Sequence, residues 1–224
     1  MSDELRAPGW AAIDAACQRL YGRQVPHQFT SQRPYEPDSQ SPLPAISVWE
    51  GRSPAHWHYV TYGLSELFEK TSPDPEISGL GFELTMRTPR AEDDERPPAW
   101  PLRALQALGA YALRARGGFD TGHRADLGGP VAPGVDTALT ALVFVPDPLL
   151  GKITGPFGSL LFLQAIGVTA DELAAIARLD HEGVVRCFAE LDFYGLTDLS
   201  RSSWFQSPQK APVIRRYQLG IRLD

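Results

Sequence analysis

The chain has 224 residues, 43% of them hydrophobic, and a formal net charge of −6. This length fits one large domain or two small ones, and the hydrophobic fraction can build a substantial core. We expect a single domain over residues 1–224. The acidic balance argues against a nucleic-acid surface, which needs a clustered basic stripe, and it would attract a basic partner.

The start of the chain, residues 1–6, has neither the basic end nor the apolar run of a secretory signal, and no later apolar stretch is long enough to span a bilayer. We therefore expect a cytoplasmic protein that does not associate with membranes. The two cysteines, Cys17 and Cys187, lie within predicted helices as small apolar fillers. Neither a disulfide nor a zinc site is expected from them.

The first half of the chain begins with a predicted helix from Pro8 to about Tyr21, where apolar residues recur every three or four positions. Residues 25–44 contain five prolines, which predicts a surface connection or an edge strand. A strand over residues 45–50 follows. A second strand is predicted from His56 to Tyr62, because its aromatic and β-branched residues suit a pleated surface.

Gly63 is predicted to end that strand, and Ser65 to cap a short helix containing Leu67 and Phe68. After a proline-containing loop at 71–77, apolar and polar residues alternate over 78–87. This alternation predicts a half-buried strand. The acidic stretch 89–98 is predicted to be a solvated loop.

The second half of the chain begins with a helix predicted from Pro101, ended by Gly117 and Gly118, and an irregular segment at 119–136. A strand is predicted over residues 137–145, and it is placed centrally in the sheet because residues 139–145 are too uniformly apolar for an exposed edge. Residues 159–166 fit a strand or a buried helix by periodicity alone. Further helices are predicted from a capping box at Thr169 and Glu172 and over 182–191, and a last strand over 213–219. Helices and strands are mixed without regular βαβ alternation, which favours an α+β fold in which helices pack against a mixed, largely antiparallel central sheet.

Two histidines two residues apart, His56 and His58, point to the same face of their strand and could supply two nitrogens to a metal. A third ligand could come from His27, His123, His181 or Glu83, but no second spaced pair exists, so histidines that hydrogen-bond beside aromatic residues are the preferred interpretation. Glu83, if buried, needs a partner, and a histidine or arginine would serve. We interpret it as structural, and no cofactor or metal is expected.

Other motifs of catalytic chemistry are incomplete. Ser65 lacks the second glycine of a nucleophile elbow, and the glycine and lysine at 151–152 lack the rest of a P-loop. The acidic run at 92–95 could steer a basic partner, but a hydrated loop is the preferred interpretation. The five tryptophans could include interface anchors, although most are expected in the core.

Five blocks in order carry a family resemblance: HWHYVTYGLSEL at 56–67, SGLGFELT at 78–85, PPAWP at 97–101, GPFGSLLFLQAIGVTADEL at 155–173 and LTDLSRSS at 196–203. Together they resemble the Suppressor-of-fused-like domain, over about residues 8–204. Residues 205–224 then form a C-terminal extension. The resemblance also implies a strand at 159–166.

The resemblance implies a binding protein, not an enzyme. Animal members bind and restrain a transcription factor through two domains, and this chain resembles only the N-terminal one. Stand-alone relatives of this kind resemble bacterial proteins, which implies an immunity protein that neutralises a toxin of a polymorphic toxin system. The expected partner of this chain is then a basic toxin domain. The alternatives are a general interaction module that sequesters a signalling partner and, less favoured, a metal-dependent hydrolase using His56, His58 and Glu83.

The resemblance also implies where a partner would bind. Phe68 corresponds to a partner-gripping tyrosine of the animal proteins, although its hydroxyl is absent here and the loop around Asp74, Pro75 and Glu76 is shorter. We therefore expect Phe68, Asp74 and Glu76 to be partner-binding residues.

Overall fold

The computed structural model describes residues 7–36, 41–116 and 118–220. Its five α-helices are α1 (Pro8–Tyr21), α2 (Trp100–Ala115), α3 (Ala170–Ile176), α4 (His181–Leu191) and α5 (Ala211–Gln218). Its strands are β1 (His27–Thr30), β2 (Ala45–Arg52), β3 (Ala55–Tyr62), β4 (Ile77–Pro89), β5 (Arg124–Asp126), β6 (Leu139–Pro146), β7 (Lys152–Gly155) and β8 (Gly158–Thr169). No helix in these ranges is both long enough and apolar enough to cross a membrane.

All eight strands belong to one sheet with the order β1-β2-β3-β4-β8-β6-β5, while β7 pairs with the first part of β8. The strand pairs are antiparallel except β4 with β8, which run parallel. The predicted α+β fold with a largely antiparallel sheet is therefore confirmed. The strand predicted at 159–166 is confirmed as β8, and the apolar strand predicted at 137–145 is β6, which lies between β8 and β5.

Helices cover both faces of this sheet. On one face α2 packs over a core that includes Trp57, Leu84 and Leu163. On the other face, α1 covers the half built from β2 and β3, and α3, α4 and α5 cover the half built from β6 and β8. The strand predicted at 78–87 is confirmed as β4, but the expectation that it is half-buried was wrong, because residues 82–88 are buried on both sides.

Two further predictions of secondary structure were wrong. The predicted helix after Ser65 is a series of bends without helical structure, and residues 213–219 lie mostly in α5, not in a strand. Helix α5 begins with a proline in its first turn and buries Ala211 and Ile214, which are three residues apart, against α3 and α4.

The predictions of where helices begin and end are confirmed in part. The capping box of α3 forms as predicted, with Thr169 and Glu172. Helix α2 ends at Ala115, and the residue that caps it, Arg116, adopts a left-handed conformation with φ of 52°. Gly117, predicted to end this helix, lies outside the described residues.

A buried ion pair holds the segment after α4 against this sheet. Arg201 donates two hydrogen bonds of 2.7 Å to the Glu172 carboxylate and one to the Gly167 carbonyl. The same carboxylate accepts the backbone N–H of Trp204. Such a bidentate arginine pair fixes geometry as well as adding energy, so the segment 201–204 is positioned by Glu172.

Candidate functional site

The segment after β3, residues 63–76, carries the predicted binding residues, and we call it the Phe68 loop. Its first bend is built around Glu83 of β4, whose side chain is fully buried. One carboxylate oxygen accepts the backbone N–H groups of residues 63, 64 and 65 at 2.9–3.1 Å and the Ser65 hydroxyl at 2.7 Å. The other accepts the Thr61 hydroxyl at 2.7 Å.

Hydrogen bonds further along the loop account for the absence of a helix after Ser65. In a helix the Thr71 N–H would donate to the Leu67 carbonyl, but here Thr71 donates to the Glu66 carboxylate and the Leu67 carbonyl accepts the Gly9 N–H. The expectation that a histidine or arginine would be the partner of Glu83 was wrong, since its partners are backbone amides and hydroxyls. Burial raises the pKa of Glu83 to about 7, although these hydrogen bonds favour the ionised form.

A second carboxylate, that of Glu66, closes the base of the Phe68 loop. It accepts the backbone N–H groups of Thr71 and Ser72, that of Gly79 at 3.1 Å, and the Lys70 ammonium at 3.1 Å. Burial opposes ionisation, but these hydrogen bonds outweigh it and lower the pKa of Glu66 to about 2. The loop is therefore fixed by internal hydrogen bonds at both of its ends.

The outer part of the Phe68 loop is solvent-exposed. The Phe68 side chain is 55% exposed, and Asp74 and Glu76 are exposed as well. Asp74 accepts the backbone N–H of Glu76 at 2.9 Å, and the Glu76 carbonyl accepts the backbone N–H of Ser159 at 2.8 Å. The structure thus places all three predicted residues on one exposed loop, and the backbone hydrogen bond of Glu76 joins that loop to β8.

His58 lies in a different, fully buried cluster. Its Nδ1 hydrogen-bonds the Tyr21 hydroxyl at 2.7 Å, and its Nε2 lies 3.0 Å from the Asp147 carboxylate. Asp147 also accepts Arg87 at 2.8 Å and Thr85 at 2.8 Å. Every one of these side chains except Tyr21 is essentially inaccessible to solvent.

The electrostatics of this cluster are those of a structural ion pair. Burial, reinforced by the charge of Arg87, lowers the pKa of His58 to about 4, so the histidine is neutral at pH 7. Burial opposes ionisation of Asp147, but His58 and Arg87 outweigh it and hold the pKa of that carboxyl well below its usual range. A tyrosine, a histidine and an aspartate joined by hydrogen bonds resemble a proton relay, but His58 and Asp147 are closed to solvent and only Tyr21 is partly exposed.

The rings of His56 and His58 are neighbours, 6.3 Å apart between centroids, but Glu83 does not join them in a common site. Nδ1 of His56 is 2.7 Å from the Pro54 carbonyl, whereas Glu83 binds the Phe68 loop. Among the described residues there is no group of three histidine, cysteine or acidic side chains that could hold a metal ion.

The remaining candidates divide between core and surface. Cys17 and Cys187 are buried free thiols, and burial raises the pKa of Cys187 to about 12. Trp49, Trp57 and Trp204 are buried, while Trp10 and Trp100 are partly buried. The acidic run at 92–95 is exposed in a loop, as predicted.

Asp147 and Arg87 were missed by sequence reasoning. Arg87 occupies a polar position in the alternation of β4, and Asp147 directly follows β6, but nothing in either local pattern indicates that they meet. Their partnership depends on the order of strands in the sheet.

Comparison with known proteins places this geometry in context. The family model of the Suppressor of fused protein (SUFU) matches residues 39–202. The Suppressor of fused homologs of Mus musculus and Homo sapiens are each 30% identical to this chain over 210 residues. These alignments cover 86% of this chain and 43% of each relative, so the chain spans less than half of their length.

Solved structures agree with this match. The chain in a Sufu–Fu complex is 28% identical, with a TM-score of 0.81, and the alignment covers 97% of this chain and 98% of that one. Drosophila Suppressor of Fused is also 28% identical, with a TM-score of 0.84 and coverage of 96% and 55%. A SUFU homologue from Neisseria gonorrhoeae FA 1090, 15% identical over 86% of this chain and 94% of its own, shares the fold with a TM-score of 0.54. The match over residues 39–202, together with these relatives, shows that the chain belongs to the Suppressor of fused family.

Proposed function

We propose that this chain is a non-catalytic protein-binding domain that holds its partner at the Phe68 loop. The observation that carries this proposal is an exposed phenylalanine on a loop fixed by two carboxylates, Glu83 and Glu66. A rigid loop loses little conformational entropy on binding, and aromatic anchors dominate interface energetics. A similar chain has been solved as a Sufu–Fu complex, which supports protein binding as the activity.

The charge around Phe68 favours a basic partner. Glu69, Asp74 and Glu76 are exposed on the same loop, and the whole chain carries a net charge of −6. Complementary charge raises the rate of association and disfavours acidic partners. Lys70 lies among these acids, but its ammonium hydrogen-bonds Glu66 and the Ile77 carbonyl.

The partner class we propose first is a basic toxin domain of a bacterial polymorphic toxin system, with this chain as the immunity protein that neutralises it. The second candidate is a regulatory module that sequesters a signalling protein, which the complex of the related chain favours. A metal-dependent hydrolase receives no support from the geometry, because His58 and Glu83 are each occupied by internal hydrogen bonds.

Titration calorimetry of the chain against the toxin domain encoded next to its gene tests the first candidate. We expect heat at micromolar concentrations and rescue of growth on co-expression. Phe68→Ala should weaken binding at least about tenfold, which corresponds to about 1.4 kcal/mol and is usual for an interface anchor.

Tyr111→Ala is the matched control, because Tyr111 is 52% exposed on α2 and does not belong to the Phe68 loop. It should leave the affinity unchanged. Absence of both heat and rescue removes the toxin as partner. A partner captured from cells equally by the wild type and by Phe68→Ala would contradict the Phe68 loop as the binding site.

A further inference from the structure

Helix α2 lies between two cavities, neither of which includes residues of the Phe68 loop. A cavity of about 810 Å³ lies between the helix and the segment 118–133, and Leu142 of β6 contributes to its wall. A second cavity, of about 570 Å³, lies between the helix and the strands β1 and β2. Arg103 and Ala107, one helical turn apart, line both cavities. We call the two cavities together the α2 surface.

The α2 surface offers apolar side chains to a partner on both sides of the helix. The walls of the larger cavity include three buried apolar residues, which are Leu108, Val131 and Leu142. Tyr111 and Leu127 also line this cavity, and both are exposed to solvent. Phe29, another exposed aromatic residue, lines the second cavity. Exposed apolar side chains grouped around a cavity are typical of sites that bind a protein or a ligand.

The charge of the α2 surface is opposite to that of the whole chain. The chain contains 27 acidic residues and has a net charge of −6, yet none of the residues that line either cavity is acidic. Arg103 and Arg114 are exposed, and neither guanidinium has a hydrogen bond or ion pair with another residue in the described ranges. Arg124 differs, because it donates to the carbonyls of Ile176 and Leu179. Two cations are therefore available to the carboxylates of a partner.

The extent of the α2 surface favours a peptide over a small molecule. Each cavity alone has a volume typical of small-molecule sites, but the two share Arg103 and Ala107 and so form one surface across the helix. Ala107 is exposed and its side chain is small, so the backbone of a partner can cross α2 at this position. A crossing peptide can place one apolar side chain in each cavity and a carboxylate beside Arg103.

We propose that the α2 surface binds an acidic peptide segment in which apolar side chains flank a carboxylate. The apolar side chains are buried in the two cavities, and the carboxylates pair with Arg103 and Arg114. Arginine binds a carboxylate through two parallel hydrogen bonds, which adds specificity to the charge attraction. This site is distinct from the Phe68 loop, whose exposed acidic residues favour a basic partner. The chain thus has two binding surfaces that favour partners of opposite charge.

Selection of random peptides displayed on phage, with the full chain immobilised, tests this proposal. We expect enriched peptides that carry Asp or Glu between aliphatic or aromatic residues. A fluorescein-labelled synthetic copy of the most enriched acidic peptide then gives the dissociation constant by fluorescence anisotropy. Arg103→Glu should weaken this binding at least about tenfold, because it replaces an attraction with repulsion between like charges. Enrichment of basic or uncharged peptides alone, no enrichment, or unchanged affinity of Arg103→Glu overturns the proposal.

Two further variants separate the α2 surface from a general effect of charge. Ala107→Trp places a large side chain at the exposed position that both cavities share, so it should abolish peptide binding while thermal melts show an intact fold. Arg19→Glu makes the same change of charge at an exposed arginine of α1, which covers the other face of the sheet, and should leave the affinity unchanged. An equal loss of affinity in Arg19→Glu and Arg103→Glu overturns the proposal.

Dodecanoate tests a small molecule as the occupant, because it combines one carboxylate with an apolar chain. NMR of the ¹⁵N-labelled chain follows the amide resonances of α2 during titration with dodecanoate and with the selected peptide. Tighter binding of the peptide, with shifts at residues 103–114, supports the proposal. Tighter binding of dodecanoate at the same residues assigns the α2 surface to a small anion and overturns the peptide as its ligand.

Discussion

Replacing Glu83 with alanine should destabilise the fold more than most single substitutions, because it removes the acceptor of five hydrogen bonds at once. A buried donor left without a partner costs about 1–3 kcal/mol. Water entering the vacated space would satisfy part of the five donors, and removal of a buried charge offsets a further part. We therefore expect a loss of about 4 kcal/mol in the free energy of unfolding.

The isosteric Glu83→Gln separates hydrogen bonding from charge. Its amide oxygen can still accept from residues 63–65, but its NH₂ group faces the Thr61 hydroxyl, which already donates to this position and accepts from the Leu84 N–H. We expect a loss of about 1–2 kcal/mol for this variant.

Urea denaturation followed by tryptophan fluorescence measures both changes, and hydrogen exchange at residues 63–65 locates them. Glu92→Ala, in the exposed acidic run, is the control and should change stability by less than about 0.5 kcal/mol. If Glu83→Ala costs less than about 1 kcal/mol and leaves exchange at residues 63–65 unchanged, the carboxylate does not hold the bend.

Three further predictions concern other parts of the fold. The pKa of Glu66 in the folded chain, about 2, lies below its ordinary value of 4.5, so the contribution of Glu66 to stability is present above pH 4.5 and is lost as the pH falls toward 2. Glu66→Gln should flatten this part of an acid titration followed by circular dichroism. An unchanged slope would refute the role of Glu66 in acid stability. Gly51→Ala should lower the free energy of unfolding by about 2 kcal/mol, because the new Cβ collides with the His56 ring. Thermal melts measure this change, and Gly129→Ala, at a position with open space around it, is the control. Equal effects of the two substitutions would contradict the collision. We also propose that residues 1–224 form one domain, so calorimetry should record a single cooperative transition, and two resolved transitions would argue for two domains.

Sequence reasoning succeeded where a local pattern decides the structure. Helix α1 follows from apolar residues at helical spacing, and α3 from a capping box whose two members are three residues apart. Strand β8 was predicted only with the help of the family resemblance, because a continuous apolar segment is compatible with either a buried strand or a buried helix.

Two of the failures share one physical cause, which is competition from partners distant in the chain. The helix expected after Ser65 does not form, because the Leu67 carbonyl accepts the N–H of the distant Gly9, and Thr71, the helical partner of that carbonyl, donates to the Glu66 carboxylate. The alternation of apolar and polar residues in β4 suggested one solvent-exposed face. Helices α1, α3, α4 and α5 cover that face of the sheet instead, and the polar side chains Glu83, Thr85 and Arg87 are buried there with hydrogen-bond partners.

The candidate site was foreseen in part. The importance of Glu83 as a buried carboxylate followed from its apolar neighbours, but its amide partners did not. The exposure of Phe68 agrees with the binding role that the family resemblance implies for it, and that role itself stays a prediction. Asp147 and Arg87 are 60 residues apart, and only the assembled sheet brings them together.

The parallel pairing of β4 with β8 joins the first and second halves of the sheet, since β1 to β4 are neighbours in sequence and β8 is made some 70 residues later. During synthesis on the ribosome, β4 therefore emerges with one edge unpaired and stays so until residue 158 has left the exit tunnel. Such open edges are where nascent chains aggregate or recruit chaperones. Cellular yield of this protein should depend on how fast the ribosome translates residues 90–158.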